Sequence, residues 1–144
     1  MSGLVVFFDA DALLAGSASR TGAAHLLLTL SELTIIEGVT SVQAAEEARR
    51  NVAQKVPDAL AEFEEIVDRA VAIQPNEAKL DEFASFAHPK DVPILAAAVM
   101  SGATWLVTFH TKHYYNPPSI TVLRPGEAVE VIRITLARDA TSMT

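Results

Sequence analysis

Asp9 and Asp11 close the apolar run of VVFFDADALLAG, which starts at Val5. A carboxylate beside a fully apolar segment is desolvated and needs a partner. Two further acids stand apart from this pair: Glu46 in TSVQAAEEARRNV and Asp91 in KDVPILAAAVMSG. If Asp9, Glu46 and Asp91 meet in one cleft, their like charges are tolerated only with raised pKa values or a bound cation. Oxygen ligands with retained water favour Mg²⁺ or Mn²⁺. A metal held by carboxylates lowers the pKa of bound water and neutralises a phosphodiester in the transition state.

Each acid also has a simpler reading. Asp9 or Asp11 suits the N-cap of a short helix after the strand, and Asp91, just before Val92 and Pro93, suits another. Glu46 and Glu47 fit a solvated helix face with Arg49 and Arg50 as countercharge. Glu46 lies one turn from Val42 and two from Ala53, toward the apolar side. Glu47 lies closer to Gln43, Arg50 and Asn51, so the solvated reading suits it better. The choice between Glu46 and Glu47 stays open in the residues alone.

His25, His88, His110 and His113 lack the spacing of a zinc motif. His25 sits in an apolar helix and reads as structural. His88 precedes Pro89 and reads as an exposed loop residue. The loop HTKHYYNPP reads either as plain surface or as an RNA contact, with Lys112 on phosphate and Tyr114 stacked on a base. Thr108 and Asp11 read as a pair that supports the site through hydrogen bonds, and Thr108 reads equally well as a plain strand residue.

These residues need elements to place them. Leu4 to Phe8 is apolar enough for a strand covered on both faces. A helix is expected over Thr21–Leu30, a strand over Leu33–Ile36 closed by Gly38, and a helix from Thr40 with Gln43 completing a capping box. Pro57 ends that helix, and Leu60, Phe63, Val67 and Ala70 mark the next. Val71–Ile73 reads as a short strand, and Asn76 as the cap of a helix carrying Leu80, Phe83 and Ala84. The helix after Asp91 is apolar nearly all round and ends at Gly102. Trp105–Phe109 and Ile120–Leu123 are strands, and a last helix runs from Pro125 to about Leu136. Strands alternating with helices argue for a parallel sheet with helices on both faces. Ligand sites in such sheets lie outside the carboxyl ends of the strands, where Asp9 and His110 both fall.

Composition bounds the rest. The chain has 144 residues, 50% apolar and 20% charged, with net charge −7 and no cysteine. One domain over residues 1–137 with a polar, frayed tail over 138–144 is expected. Bulk electrostatics does not favour nucleic acid, so binding must rest on local cations or metal. Disulfides and thiolate sites are excluded. No apolar run spans a bilayer, and Met1 leads straight into a strand without a basic signal region, so a cytoplasmic protein without membrane contact is expected.

Four segments together resemble the PIN domain family. VVFFDADALLAG resembles its opening strand and Asp-Thr-Asn, with Asp11 where Asn is common. TSVQAAEEARRNV resembles the helix bearing the second acid, which maps best to Glu46. KDVPILAAAVMSGATWLVTFHTKHY resembles the third acid at Asp91, the Ile-Leu-Ala-Ala helix and the Leu-Val-Thr strand. ITVLRPGEAVEVI resembles the closing strand, proline and helix. The resemblance implies a three-layer α/β/α sandwich around a mostly parallel sheet. It also implies a Mg²⁺- or Mn²⁺-dependent ribonuclease with Asp9, Glu46 and Asp91 as metal-holding and catalytic acids. Many small bacterial members are toxins of VapBC-type pairs, which cut RNA, are inhibited by an antitoxin protein and are often homodimers. This chain departs at one point: Phe109 and His110 stand where the family has Gly and then Asp or Asn. A neutral imidazole adds no negative charge. The alternative is therefore a catalytically impaired module that binds RNA or a protein.

FFDADALL also looks like the opening of the haloacid-dehalogenase phosphatases. Leu13 replaces the Thr or Val of that pattern, and no later metal segment follows. A receiver domain fits less well still, for want of its phosphoacceptor and lysine.

Overall fold

The computed structural model describes residues 3–74 and 80–142. The elements run β1 (Val5–Phe8), α1 (Ala10–Ala18), α2 (Ala23–Glu32), β2 (Glu37–Ser41), α3 (Val42–Lys55), α4 (Leu60–Ala70) and β3 (Ala72–Gln74). They continue with α5 (Leu80–Phe83), α6 (Val92–Met100), β4 (Trp105–Val107), β5 (Thr121–Leu123) and α7 (Pro125–Ser142). The sheet order is β3-β2-β1-β4-β5, and all four pairings are parallel.

β1 lies at the centre and is apolar on both faces, as its continuous run requires. Val6 and Phe8 enter one core with Leu13, Leu27, Leu28 and Phe63. Phe7 enters the other with Leu95, Ala98 and Leu106. Alternation along one strand thus welds two helical layers to the sheet, giving the expected α/β/α sandwich.

The chain lays β2 and β3 outward on one side of β1, then returns to place β4 on its other side. This reversal opens a crevice beyond the carboxyl ends of β1 and β4. Asp9 follows β1 directly, and its N–H donates to the Val107 carbonyl at 3.0 Å. Thr108, Phe109 and His110 follow β4.

The second strand lies later than its apolar residues indicate. Leu33 and Ile35 are exposed and belong to a turn in which Thr34 has φ +61°. The real strand contains Gly38 because a Cβ there would stand 2.9 Å from the Ala70 carbonyl oxygen and collide with Ser31. Its Thr40 and Ser41 are buried with partners: the Thr40 hydroxyl donates to the Phe8 carbonyl at 2.8 Å. Ser41, one residue after the expected start, caps α3 by accepting from Ala44 N–H at 3.1 Å. Burial with satisfied hydrogen bonds, rather than side-chain apolarity, makes EGVTS a strand.

α2 starts two residues later than expected, and β4 ends at Val107. α7 runs past Leu136 through Ser142, so the stretch from Arg138 continues as helix. The expected cap at Asn76 lies outside the described residues. Among the described residues, no helix is long and apolar enough to cross a membrane.

Candidate active site

Asp9 performs both roles that its position allows. As N-cap of α1 it accepts from Ala10 N–H through Oδ1 at 2.7 Å, and its carbonyl accepts from Ala12 and Leu13. Its other oxygen, Oδ2, accepts from the Tyr114 hydroxyl at 3.2 Å. The residue is only 7% exposed. Burial, and then the neighbouring Asp11 charge, push its pKa up to about 7; the bonds from Ala10, Thr108 and Tyr114 oppose this and lose.

Asp11, in the first turn of α1, reaches across to the end of β4. Phe109 N–H donates to its Oδ2 at 2.9 Å, and the Thr108 hydroxyl lies 3.3 Å from both oxygens. The expected Thr108–Asp11 link is therefore present. Burial raises the Asp11 pKa as well. His110 Nε2 stands 3.7 Å from Asp11 Oδ2, placing an imidazole where the family carries a further acid.

Asp91 occupies the N-cap position of α6 but makes no side-chain cap bond. Its Oδ2 instead lies 3.0 Å from His113 Nδ1. The capping reading of Asp91 therefore fails, and its carboxylate turns toward the cleft. The His110 and His113 rings stack 5.0 Å apart and 10° from parallel, and His88 adds a tilted ring 5.7 Å from His113. His88 is exposed, as expected, yet it joins this histidine rim.

Two segments are zipped to hold that rim. Ala87 and Tyr114 form an antiparallel bridge, His88 N–H donates to the His113 carbonyl, and Tyr115 N–H donates to the Phe86 carbonyl. The zip buries Tyr114, which is 6% exposed and unable to stack on a base; its expected role as an RNA contact is corrected to a hydrogen bond on Asp9. Burial and the charges of Asp9, Asp91 and Asp11 all raise the phenol's pKa, so it stays a donor. Lys112 is exposed and does not line the cleft.

The cleft has a volume of about 280 Å³ and is lined by Asp9, Asp11, Glu47 and Asp91. Glu46 is absent from it. That residue is exposed and faces Arg49, whose pKa it helps to raise. The structure therefore brings Glu47, and not the expected Glu46, to the cleft with Asp9 and Asp91. Val42, which marked the apolar side of the helix, is itself 42% exposed, and Ala53 is exposed too; the buried face of α3 is Ala44, Ala45, Ala48 and Val52. At about 100° per residue, Glu47 falls on the cleft flank of that face and Glu46 beyond its other flank.

Asn51, Lys55 and Lys90 also line the cleft and were not read as site residues in the sequence; His88, read as an exposed loop residue, lines it too. For α3 a signal existed: Glu47, Asn51 and Lys55 recur at four-residue spacing, a polar stripe along one helix face. Nothing local marks Lys90. A larger hollow of about 450 Å³ lies at the other end of the sheet, near Ile36 and Val71. Its cation, Arg69, is already paired with Glu32 and Glu65.

Four carboxylates with raised pKa values at Asp9 and Asp11 make a cleft with excess negative charge and hard oxygen donors. That donor chemistry fits a Mg²⁺- or Mn²⁺-type cation. As the side chains stand, no three acidic or histidine groups among the described residues are gathered closely enough to hold an ion. Asp91 Oδ2 is engaged by His113 instead.

The PIN domain family profile matches residues 5–112. No curated protein matches the sequence. Among solved structures, VapBC2 from Rickettsia felis, seen bound to a DNA fragment from their promoter, is similar with a TM-score of 0.65 and 15% identity over 84% of this chain and 98% of that one. VapC20 from Mycobacterium tuberculosis, described as a sarcin-ricin loop cleaving toxin, is similar with a TM-score of 0.49 and 17% identity over 70% of this chain and 86% of that one. The likeness to VapBC2 concerns the fold.

Proposed function

This chain belongs to the PIN domain family, and on that premise we propose that it is a divalent-metal-dependent endoribonuclease of the cytoplasm, acting on single-stranded or structured RNA. The observation that carries this reading is the cleft itself: Asp9, Asp11, Glu47 and Asp91 come from four separate sequence positions to line one crevice at the strand ends. Carboxylates burdened by burial and by one another need a cation, and a cation beside such a cleft suits a phosphodiester substrate.

Asp9, Asp91 and Glu47 are the residues that would hold Mg²⁺ or Mn²⁺. When bound, such an ion supplies positive charge against the phosphodiester and lowers the pKa of coordinated water. The chain's own residues supply the positioning. Ala10 N–H and the Tyr114 hydroxyl fix the two oxygens of Asp9. Thr108 and Phe109 N–H fix Asp11 against the end of β4. His113 holds Asp91, so its release accompanies use of that oxygen.

The PIN motifs, which many small bacterial toxins of VapBC-type pairs carry, extend the reading to the toxin of a toxin–antitoxin pair, with an antitoxin as protein partner and a homodimer as the assembly. Exposed Val131, Ile134 and Leu136 on α7 are apolar surface of the kind such contacts cover. A small basic or DNA-binding protein encoded just upstream is the expected genetic context.

The direct test is incubation of single-stranded RNA with purified protein and Mn²⁺, beside Asp91→Asn. Cleavage lost in the variant supports the reading; cleavage unchanged in the variant places the activity elsewhere. A second reading, RNA or protein binding without cleavage, draws on His110 beside Asp11 and His113 on Asp91, where imidazoles take up carboxylate valence. RNA binding with no cleavage in any divalent ion would favour it.

A further inference from the structure

The cleft also carries cations that the carboxylate chemistry does not use. Lys55 and Lys90 line it together with Asn51 and His88. The chain holds 18 acidic and 11 basic residues, so lysines have carboxylates to choose from. Four of the seven arginines use them: Arg20 pairs with Glu62, Arg49 with Glu64, Arg69 with Glu32, and Arg133 with Glu130. Neither Lys55 nor Lys90 has an ion-pair partner among the described residues, although both share a cleft with four acids.

Their placement has a direction. Glu47, Asn51 and Lys55 stand on successive turns of α3, so Lys55 lies about 12 Å along the helix from Glu47. Lys90 approaches from the other wall, on the 3₁₀ turn that leads into Asp91. One wall of the cleft thus passes along α3 from Glu47 through an amide to Lys55, while Lys90 stands on the other wall beside Asp91.

We propose that Lys55 and Lys90 form a phosphate subsite that binds the backbone of an RNA strand next to the phosphate being cut, with Asn51 between Lys55 and Glu47. This inference rests on the ribonuclease reading for the identity of the strand. A net-negative protein attracts no polyanion by its overall field, so two unpaired lysines inside the cleft supply the local attraction that the substrate needs. Phosphate contacts of this kind position a strand without reading its sequence.

The test is binding of a short fluorescent single-stranded RNA, in EDTA so that no metal-dependent cleavage competes. Anisotropy is followed across a series of salt concentrations for wild type, Lys55→Ala, Lys90→Ala, the double variant, and Arg138→Ala on α7. Each lysine variant should reduce the slope of log K against log salt by about 0.7, the single-strand value for one phosphate contact, and weaken binding by a similar factor for different RNA sequences. Arg138→Ala should leave the slope unchanged. Wild type that binds RNA with a slope unaltered in both lysine variants overturns the subsite and leaves the nuclease reading standing. Slopes that fall as expected in a protein that never cleaves RNA keep the subsite and remove the nuclease reading. A wild type that fails to bind RNA in EDTA overturns the subsite and leaves the nuclease reading to the Mn²⁺ cleavage assay.

Discussion

The Tyr114 hydroxyl donates to Asp9 Oδ2 at 3.2 Å, joining residues 105 positions apart in the chain. The bond ties the loop after β4 to the acid after β1, and it does so from within the zip that also carries Asp91 and His113. Tyr114→Phe deletes one oxygen and keeps the ring. Expected are a roughly tenfold loss of Mn²⁺ affinity, as is usual when a hydrogen bond to a metal-holding residue is removed, and a fall of about 1–2 kcal/mol in stability. Calorimetric Mn²⁺ titration with parallel urea melts measures both; unchanged affinity would reduce Tyr114 to a packing residue.

Asp9 makes metal-free stability depend on pH with a definite sign. Its pKa rises from 3.8 to about 7 in the fold, so between these values the native state holds a proton that the unfolded chain releases. The Asp9 contribution to stability is therefore most favourable below about pH 4, falls as pH rises toward 7, and carries the full penalty above it. Asp9→Asn keeps an acceptor for Ala10 N–H and removes the charge. In EDTA at pH 8 it should be more stable than wild type by a few kcal/mol, up to roughly 4, with the gap closing toward pH 4. A variant less stable than wild type at pH 8 would mean that capping outweighs desolvation.

Glu46 and Glu47 are adjacent in sequence and opposed in consequence. Glu47→Gln should lower RNA cleavage at limiting Mn²⁺ by about 10–100-fold, while Glu46→Gln stays within about twofold of wild type. Rates measured over a Mn²⁺ series distinguish them. Equal losses, or loss with Glu46→Gln alone, would restore the assignment that the sequence favoured.

His110 stands where the family carries an acid. His110→Asp adds a carboxylate beside Asp11, whose own pKa is already raised by burial. The variant should bind Mn²⁺ about tenfold more tightly and melt at a lower temperature in EDTA, because the new charge repels Asp11 until a cation neutralises it. Melting curves with and without Mn²⁺ report both effects; a variant that is more stable in EDTA would contradict the electrostatic account.

Much of this site was legible because short-range patterns carried it. The apolar run of β1, followed at once by Asp9, needs no tertiary information to place an acid at a strand end. Asp91 before Val92 and Pro93 marks a helix start just as locally, and Thr108 two residues before His110 placed a hydroxyl beside the same crevice. The errors fell where a side chain's direction depended on what packed around it. Val42 and Ala53 looked like the buried side of α3 and are exposed. Leu33–Ile36 looked like a strand and is a turn, because Gly38 and Thr40 fit the close approach of Ala70 and Phe8. Tyr114 in a polar loop looked like surface until the bridge to Ala87 buried it.

The sequence by itself determined the alternation of strands and helices, the parallel sheet, and which acids stand at strand and helix ends, since those follow from periodicity and local hydrogen-bond needs. Only the tertiary structure decided that Glu47 rather than Glu46 lines the cleft, that Tyr114 holds Asp9, and that Lys55 and Lys90 line the same cleft. One residue turns a helix by about 100°, and residues far apart in the chain become neighbours only when the layers pack. No local pattern encodes either quantity.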